Sequence, residues 1–274
     1  MSANSSNHPT EPASLTSHEP PSRVLRRHEH WQLLGLPAWV LFGFVAAQML
    51  LLGIIVGLQA VGLPLKSINP TIFNTIIAAA VYVLSLGIVI GVPWLVKKRR
   101  TSRAELGLHR LPSWTDILLA PAGFVVYLIA SGVLVYLATQ YLPGFNATQA
   151  QEVGFDHLTQ RYELVLAFIT LVIIAPVAEE TLFRGYLYGK LRTIAPVWVA
   201  VLITSVLFAA LHLPGNNALQ WNVAVDVFAL SLVLCSLREV SGSIWAGVLL
   251  HMMKNGLAFY LLFINPTLLH TIGG

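Results

Sequence analysis

Two adjacent glutamates, Glu179 and Glu180, lie in a segment that is otherwise apolar enough to cross a membrane. An ionisable side chain at bilayer depth costs at least ~2.5 kcal/mol, so a pair of them indicates a functional site. Arg184 follows one turn after Glu180, and this spacing favours an ion pair on one helix face. We therefore expect Glu180 to pair with Arg184, which leaves Glu179 free for chemistry. The alternative is a helix that has already reached water, where all three residues form a solvated face.

Further polar groups occur in later apolar segments. His212 ends one of them, four residues after Phe208, whose ring could pack beneath the imidazole; His251 and Asn255 lie one turn apart in another. Taken singly, such residues can be structural, as an interhelical hydrogen-bond pair is. At ~1.5 Å per residue, however, Glu179 and both histidines fall within ~10 Å of a common depth. Three helices can thus bring a carboxylate and two imidazoles to one layer.

These groups could activate water for hydrolysis. The carboxylate would take a proton from water, while a histidine and an amide donor stabilise the oxyanion that forms at a carbonyl. Glu179, His212 and His251 could instead ligate Zn²⁺ or another divalent metal, because two histidines and one carboxylate form a known catalytic set. The sequence leaves metal-bound and metal-free water open. It contains neither a His-Glu-X-X-His nor a Gly-X-Ser-X-Gly motif, and no paired membrane aspartates.

The composition is that of a membrane protein. Of the 274 residues, 56% are hydrophobic and 10% are charged, whereas soluble domains carry about 25% charged residues. We predict an all-α polytopic membrane helix bundle of about seven transmembrane helices, or eight with a further or re-entrant segment. The apolar segments that could cross the bilayer are approximately 37–60, 71–96, 116–139, 162–191, 196–213, 223–237 and 242–263.

The chain divides into three regions by composition. Residues 1–30 are predominantly polar and predict a disordered cytoplasmic tail. Residues 31–160 would form three N-terminal transmembrane helices with their loops, and 161–265 the catalytic core. Basic residues in the tail and in the 97–103 cluster place the N-terminus in the cytoplasm. Short loops and a single cysteine favour a bacterial plasma membrane, and the basic clusters at segment ends do not indicate nucleic-acid binding.

The three polar motifs, taken in order and spacing, resemble those of the CPBP family. This is the CAAX-protease and bacteriocin-processing group of intramembrane endopeptidases, also called the ABI or type II CAAX prenyl endopeptidase family. The resemblance covers about 160–260. The motifs are Glu179-Glu180-X-X-X-Arg184, Phe208-X-X-X-His212 and His251-X-X-X-Asn255.

The resemblance implies a role for each residue. Glu179 and His212 would activate the attacking water, His251 and Asn255 would stabilise the transition state, and the glutamate–arginine pair would support the site. The substrate would be a peptide or a membrane-tethered protein. The family is labelled metalloprotease in places, and a glutamate-based mechanism without a firmly bound metal is also argued for it. Prenylated substrates fit eukaryotic members and do not transfer automatically to this chain.

Two other functions remain open at this point. A non-catalytic membrane immunity or scaffold protein of the same family would keep the buried polar layer for specificity alone. A proton-coupled transporter could use the same carboxylates. We favour the transporter less, because the sequence shows no internal repeat and no matched pair of broken helices.

Overall fold

The computed structural model describes residues 27–149, 151–155, 158–215 and 218–268, and the side chains from residue 31 onward within these ranges. Over these residues the chain is helical with no strands, which confirms the predicted all-α class. Most of the predicted N-terminal tail, residues 1–26, lies outside the described residues.

Seven long helices are present in the described part of the chain, one for each predicted apolar segment. Five of them, α1 to α4 and α7, are long and apolar enough to cross a membrane, so the protein is a multi-pass membrane protein. Helix α5 has 15 residues, or ~22 Å, and α6 packs along it. The helices are α1 Arg27–Ala60, α2 Pro70–Lys97, α3 Trp114–Tyr141, α4 Arg161–Leu191, α5 Val197–Leu211, α6 Trp221–Ser241 and α7 Trp245–Ile264.

Local chemistry explains where several helices begin and end. The Asn69 side chain accepts hydrogen bonds from the first amides of α2, and Pro70 follows at a position where no amide is needed. Ser113 and Asp116 form a reciprocal capping box at the start of α3. Gly242, with φ +66°, ends α6 in the left-handed conformation that glycine adopts most easily. These capping residues fix the points at which the helices meet the loops that connect them.

Charged side chains join the loops at one end of the bundle. Glu105, in the loop between α2 and α3, forms an ion pair with Lys190 near the end of α4. Arg238 at the end of α6 donates to the Glu105 carbonyl oxygen at 3.3 Å. The Arg192 guanidinium pairs with the Glu239 carboxylate at 2.8 Å. Lys190, Arg192 and Arg238 therefore lie at the same end of the bundle as the loop between α2 and α3.

Two glycines let the loop between α2 and α3 lie directly on α4. A Cβ atom at Gly185 would be 2.9 Å from the Leu106 carbonyl oxygen, and one at Gly189 would be 2.9 Å from the Glu105 carbonyl oxygen. Any larger residue would push the loop away. The glycine that follows Arg184 is therefore required by packing rather than by chemistry.

Candidate active site

Helix α4 departs from regular geometry on both sides of the two glutamates. The segments Ile169–Ile174 and Thr181–Tyr188 are π-helical, and the α-helical turn Ala175–Glu180 lies between them. Such widened turns inside α-helices occur frequently at functional sites. The carboxylates therefore sit at a local irregularity of a long membrane helix.

Pro176 explains how Asn255 is held. In i→i+5 pairing, the carbonyl oxygen of Leu171 would accept from the amide of residue 176, and proline has no amide hydrogen. Asn255 Nδ2 on α7 donates to this carbonyl oxygen at 2.9 Å. One of the two amide hydrogens of Asn255 is thereby used to join α7 to α4, and the second can donate to another group.

Glu180 and Arg184 form the predicted ion pair. Arg184 Nη1 lies 2.9 Å from Glu180 Oε1, and both side chains are 0% exposed, so the alternative of a solvated face is wrong. Arg184 Nη2 also donates to Ser231 Oγ on α6 at 2.7 Å. The guanidinium carbon lies 4.3 Å from the centre of the Phe208 ring, which adds a cation–π contact. Through these contacts the ion pair joins α4 to α5 and α6.

Glu179 has other partners than this pair and is not fully covered by protein. Its side chain is 14% exposed, and its Oε2 lies 3.8 Å from His251 Nε2. Its Oε1 accepts a hydrogen bond from Tyr82 Oη at 2.6 Å. The two glutamates thus have different partners, and the catalytic role of Glu179 stays a prediction.

Tyr82 was missed by the sequence analysis. It lies on α2, outside the three motifs, near the middle of a span of 28 residues. Buried tyrosine hydroxyls usually find a hydrogen-bond partner, so a mid-span tyrosine is the signal that could have pointed to it. The sequence could not say which partner it has.

His251 lies between the two carboxylates. Its Nδ1 is 3.2 Å from Glu180 Oε1, and the side chain is 4% exposed. An ionised carboxylate only accepts hydrogen bonds, so Nδ1 must carry the hydrogen. Nε2 is then the ring atom that faces Glu179. The buried glutamate therefore selects the orientation of the ring.

His212 is oriented from its own helix. Its Nδ1 lies 2.8 Å from the Phe208 carbonyl oxygen, and because a carbonyl oxygen only accepts, Nδ1 donates. Nε2 is left with its lone pair when the ring is neutral. The predicted packing on Phe208 is confirmed, with ring centres 4.7 Å apart. The Phe208 ring centre is also 6.0 Å from that of His251, so one aromatic ring contacts both imidazoles.

The described residues show no preformed metal-binding site. Within the described ranges, no group of three or more histidine, cysteine, aspartate or glutamate side chains is arranged to hold a metal ion. His251 uses Nδ1 on Glu180, and His212 uses Nδ1 on a backbone carbonyl. These hydrogen bonds leave Nε2 of both rings available, as in histidines that ligate a metal, and metal dependence stays a prediction.

Gly247 allows α7 to approach α4 at the site. A Cβ atom at this position would lie 3.0 Å from Glu180 Oε2 and 3.4 Å from a methyl carbon of Leu234. The absence of a side chain is what lets His251, one turn later on the same helix, reach the glutamates.

Comparison with known proteins agrees with the motifs. Residues 161–257 match the family model described as type II CAAX prenyl endopeptidase Rce1-like. An uncharacterized 24.3 kDa protein of Escherichia coli is 37% identical over 92 residues, which is 33% of this chain and 41% of that protein. No solved structure matches.

Two further relatives cover more of the chain. UPF0177 protein YbdI of Lactococcus lactis is 28% identical over 127 residues, 44% of this chain and 66% of that protein. The "Putative membrane peptidase YdiL" of Bacillus subtilis is 26% identical over 140 residues, 51% of this chain and 54% of that protein. The chain thus matches less than two thirds of the length of each of these relatives. Residues 161–257 thus match the family model described as type II CAAX prenyl endopeptidase Rce1-like, and all three motifs lie within them.

Proposed function

We propose that this protein is an intramembrane endopeptidase that hydrolyses a peptide bond of a membrane-associated protein or peptide. The observation that carries the proposal is the position of Glu179. Its carboxylate is partly exposed, held by Tyr82 on one oxygen and faced by His251 on the other, above a buried ion pair that orients the histidine. The family match and a relative named as a membrane peptidase support it.

Glu179 acts as the general base in this proposal. Its carboxylate takes one proton from a water molecule as the water oxygen bonds to the carbonyl carbon of the substrate. The same proton then goes to the leaving amine as the carbon–nitrogen bond breaks. The His212 Nε2 lone pair is the second acceptor that can hold the attacking water.

The developing oxyanion needs donors aimed at it. His251, whose Nδ1–H donates to Glu180, can donate from Nε2 as well when its ring is doubly protonated, and Asn255 offers the amide hydrogen that Leu171 does not use. Donors that are held in place before the reaction stabilise such a charge most effectively. No step in this scheme runs through a metal ion.

The test is peptide cleavage by the purified protein in detergent, with wild type, Glu179→Gln and His212→Ala compared. General bases typically contribute about 10²- to 10⁴-fold, and we expect a loss of that size in Glu179→Gln. Glu105→Gln, at the charged end of the bundle, is the matched control and should keep full activity. A fully active Glu179→Gln variant would refute the mechanism.

A chelator separates the metal alternative from the metal-free scheme. Loss of cleavage with a chelator, and its recovery on adding Zn²⁺, would show that the reaction depends on a metal ion. If no folded sample cleaves any peptide, the non-catalytic immunity or scaffold function is favoured. That function predicts that Glu179→Gln keeps the cellular phenotype.

We further propose that the protein lies in the plasma membrane with its N-terminus in the cytoplasm. The cationic segment 97–103 and the basic ends of α4 and α6 share one end of the bundle, and such clusters favour the cytoplasmic side. Reporter fusions placed in the loop between α2 and α3 and in the loop between α3 and α4 should report opposite sides of the membrane.

A further inference from the structure

A groove of about 640 Å³ opens at the charged end of the bundle, between α1, α2 and α4. Trp39 forms one wall and is held by a hydrogen bond from its Nε1 to the Val89 carbonyl oxygen at 3.0 Å. The groove is distinct from the candidate active site, since none of the seven motif residues lines it. Its lining includes Trp31, Trp39, Val92, Val96, Lys97 and Arg99.

The rim of this groove carries positive charge that is not neutralised by protein partners. Lys97 and Arg99 line it, and within the described ranges neither side chain forms an ion pair or donates a hydrogen bond. The acidic residue of the adjoining loop, Glu105, already pairs with Lys190, which also lines the groove. An anion that enters would therefore meet two free cations.

The walls of the groove are apolar although its rim is cationic. Leu34, Trp94 and Leu95, beside it on α1 and α2, are large exposed apolar side chains that face the surroundings of the bundle. Tryptophans of this kind mark the membrane–water interface. Basic pockets between transmembrane helices at that level bind anionic lipid headgroups. A free phosphate ion would be stabilised only by the cationic rim. A phospholipid would be stabilised by the rim and also by contact with the apolar walls.

We infer that this groove binds an anionic phospholipid, with its phosphate against Lys97 and Arg99 and its glycerol and acyl part between α1 and α2. The inference does not depend on the proposed peptidase activity. It assigns a function to the N-terminal helices, which lie outside the segment that matches the family model.

Native mass spectrometry of the detergent-purified chain, titrated with phosphatidylglycerol or phosphatidylcholine, tests the charge requirement. We expect Lys97→Gln/Arg99→Gln to weaken phosphatidylglycerol binding about 30-fold, since each cation near the surface contributes ~1 kcal/mol. The matched control is Lys98→Gln/Arg103→Gln, which removes the same charge from the loop after α2, outside the groove. Equal weakening by both double variants would overturn the inference in favour of diffuse surface attraction.

A second variant tests the groove by volume rather than charge. Gly35 lines the groove, and a Cβ atom there would have nothing within 4 Å, so Gly35→Leu can fill the groove without a clash. Gly57→Leu on the same helix is equally open and lies outside the groove. We expect only Gly35→Leu to lower binding by 10-fold or more. Undiminished binding by Gly35→Leu, equal binding of phosphatidylcholine, or full displacement by equimolar inorganic phosphate would each refute the lipid assignment.

Discussion

The hydrogen bond from Tyr82 to Glu179 provides the sharpest test of the proposed site. Tyr82→Phe removes only the hydroxyl group and leaves the ring that packs between α2 and α4. The oxygens are 2.6 Å apart, within the range of charge-assisted O–H···O⁻ bonds. A hydrogen bond to a charged group contributes about 1.5–3 kcal/mol. Because Glu179 is 14% exposed, water can replace part of the lost bond, and the lower figure applies.

A loss of ~1.5 kcal/mol in positioning the base corresponds to about a 10-fold lower kcat. KM should stay the same, because Tyr82 acts through Glu179 and not on the substrate in this scheme. The assay is steady-state cleavage of a peptide that the wild type cuts, with the thermal transition in detergent as the measure of folding.

Tyr188→Phe is the matched control. Its hydroxyl also donates at 2.6 Å to a carboxylate, that of Glu239, at the charged end of the bundle. This variant should lose stability to a comparable degree and keep kcat. In a Glu179→Gln background, Tyr82→Phe should have no further effect on kcat, since coupled residues are not additive. Wild-type kcat in Tyr82→Phe, or equal losses in both tyrosine variants, would refute the positioning role.

Three other substitutions test the packing and charges around the site. Gly247→Ala would place a methyl group 3.0 Å from Glu180 Oε2, and we expect a cost of ~1–3 kcal/mol with reduced kcat; unchanged activity would contradict the close approach. Arg184→Leu leaves the Glu180 carboxylate buried without its partner and should lower the unfolding free energy by ~3–5 kcal/mol; adding Glu180→Gln should recover part of this in denaturation in detergent. The hydrogen bond from Lys190 lowers the pKa of Glu105 from its ordinary value of 4.5. Stabilisation is therefore present above pH 4.5 and lost as pH falls through the lowered pKa. The thermal midpoints of wild type and Glu105→Gln should differ at pH 7 and become equal in acid. The same difference at pH 7 and in acid would contradict the ion pair.

The helices could be predicted because their signals are local. Each apolar segment corresponds to one observed helix, and a break such as Asn69-Pro70 lies where a capping side chain and a proline begin the next helix. Helix α6 is an instructive case: it was predicted from a shorter apolar stretch, and it reaches Ser241 because Arg238 and Glu239 pair with loop residues instead of facing lipid.

Contacts within one helix could also be predicted from the sequence. The spacing of Glu180 and Arg184, and that of Phe208 and His212, placed each pair on a common face, and both pairs are in contact. Four residues span about one turn, so sequence distance converts directly into spatial distance. These two contacts within single helices are the part of the site that sequence spacing alone determines.

Contacts between helices depended on the tertiary structure. The pairing of Tyr82 with Glu179, the insertion of His251 between two carboxylates, and the hydrogen bond from Asn255 to Leu171 all join different helices. Sequence spacing carries no information about the rotation of one helix relative to another, which packing sets. The chain alone therefore determined which residues are costly to bury, and the packed bundle decided which partners make their burial possible.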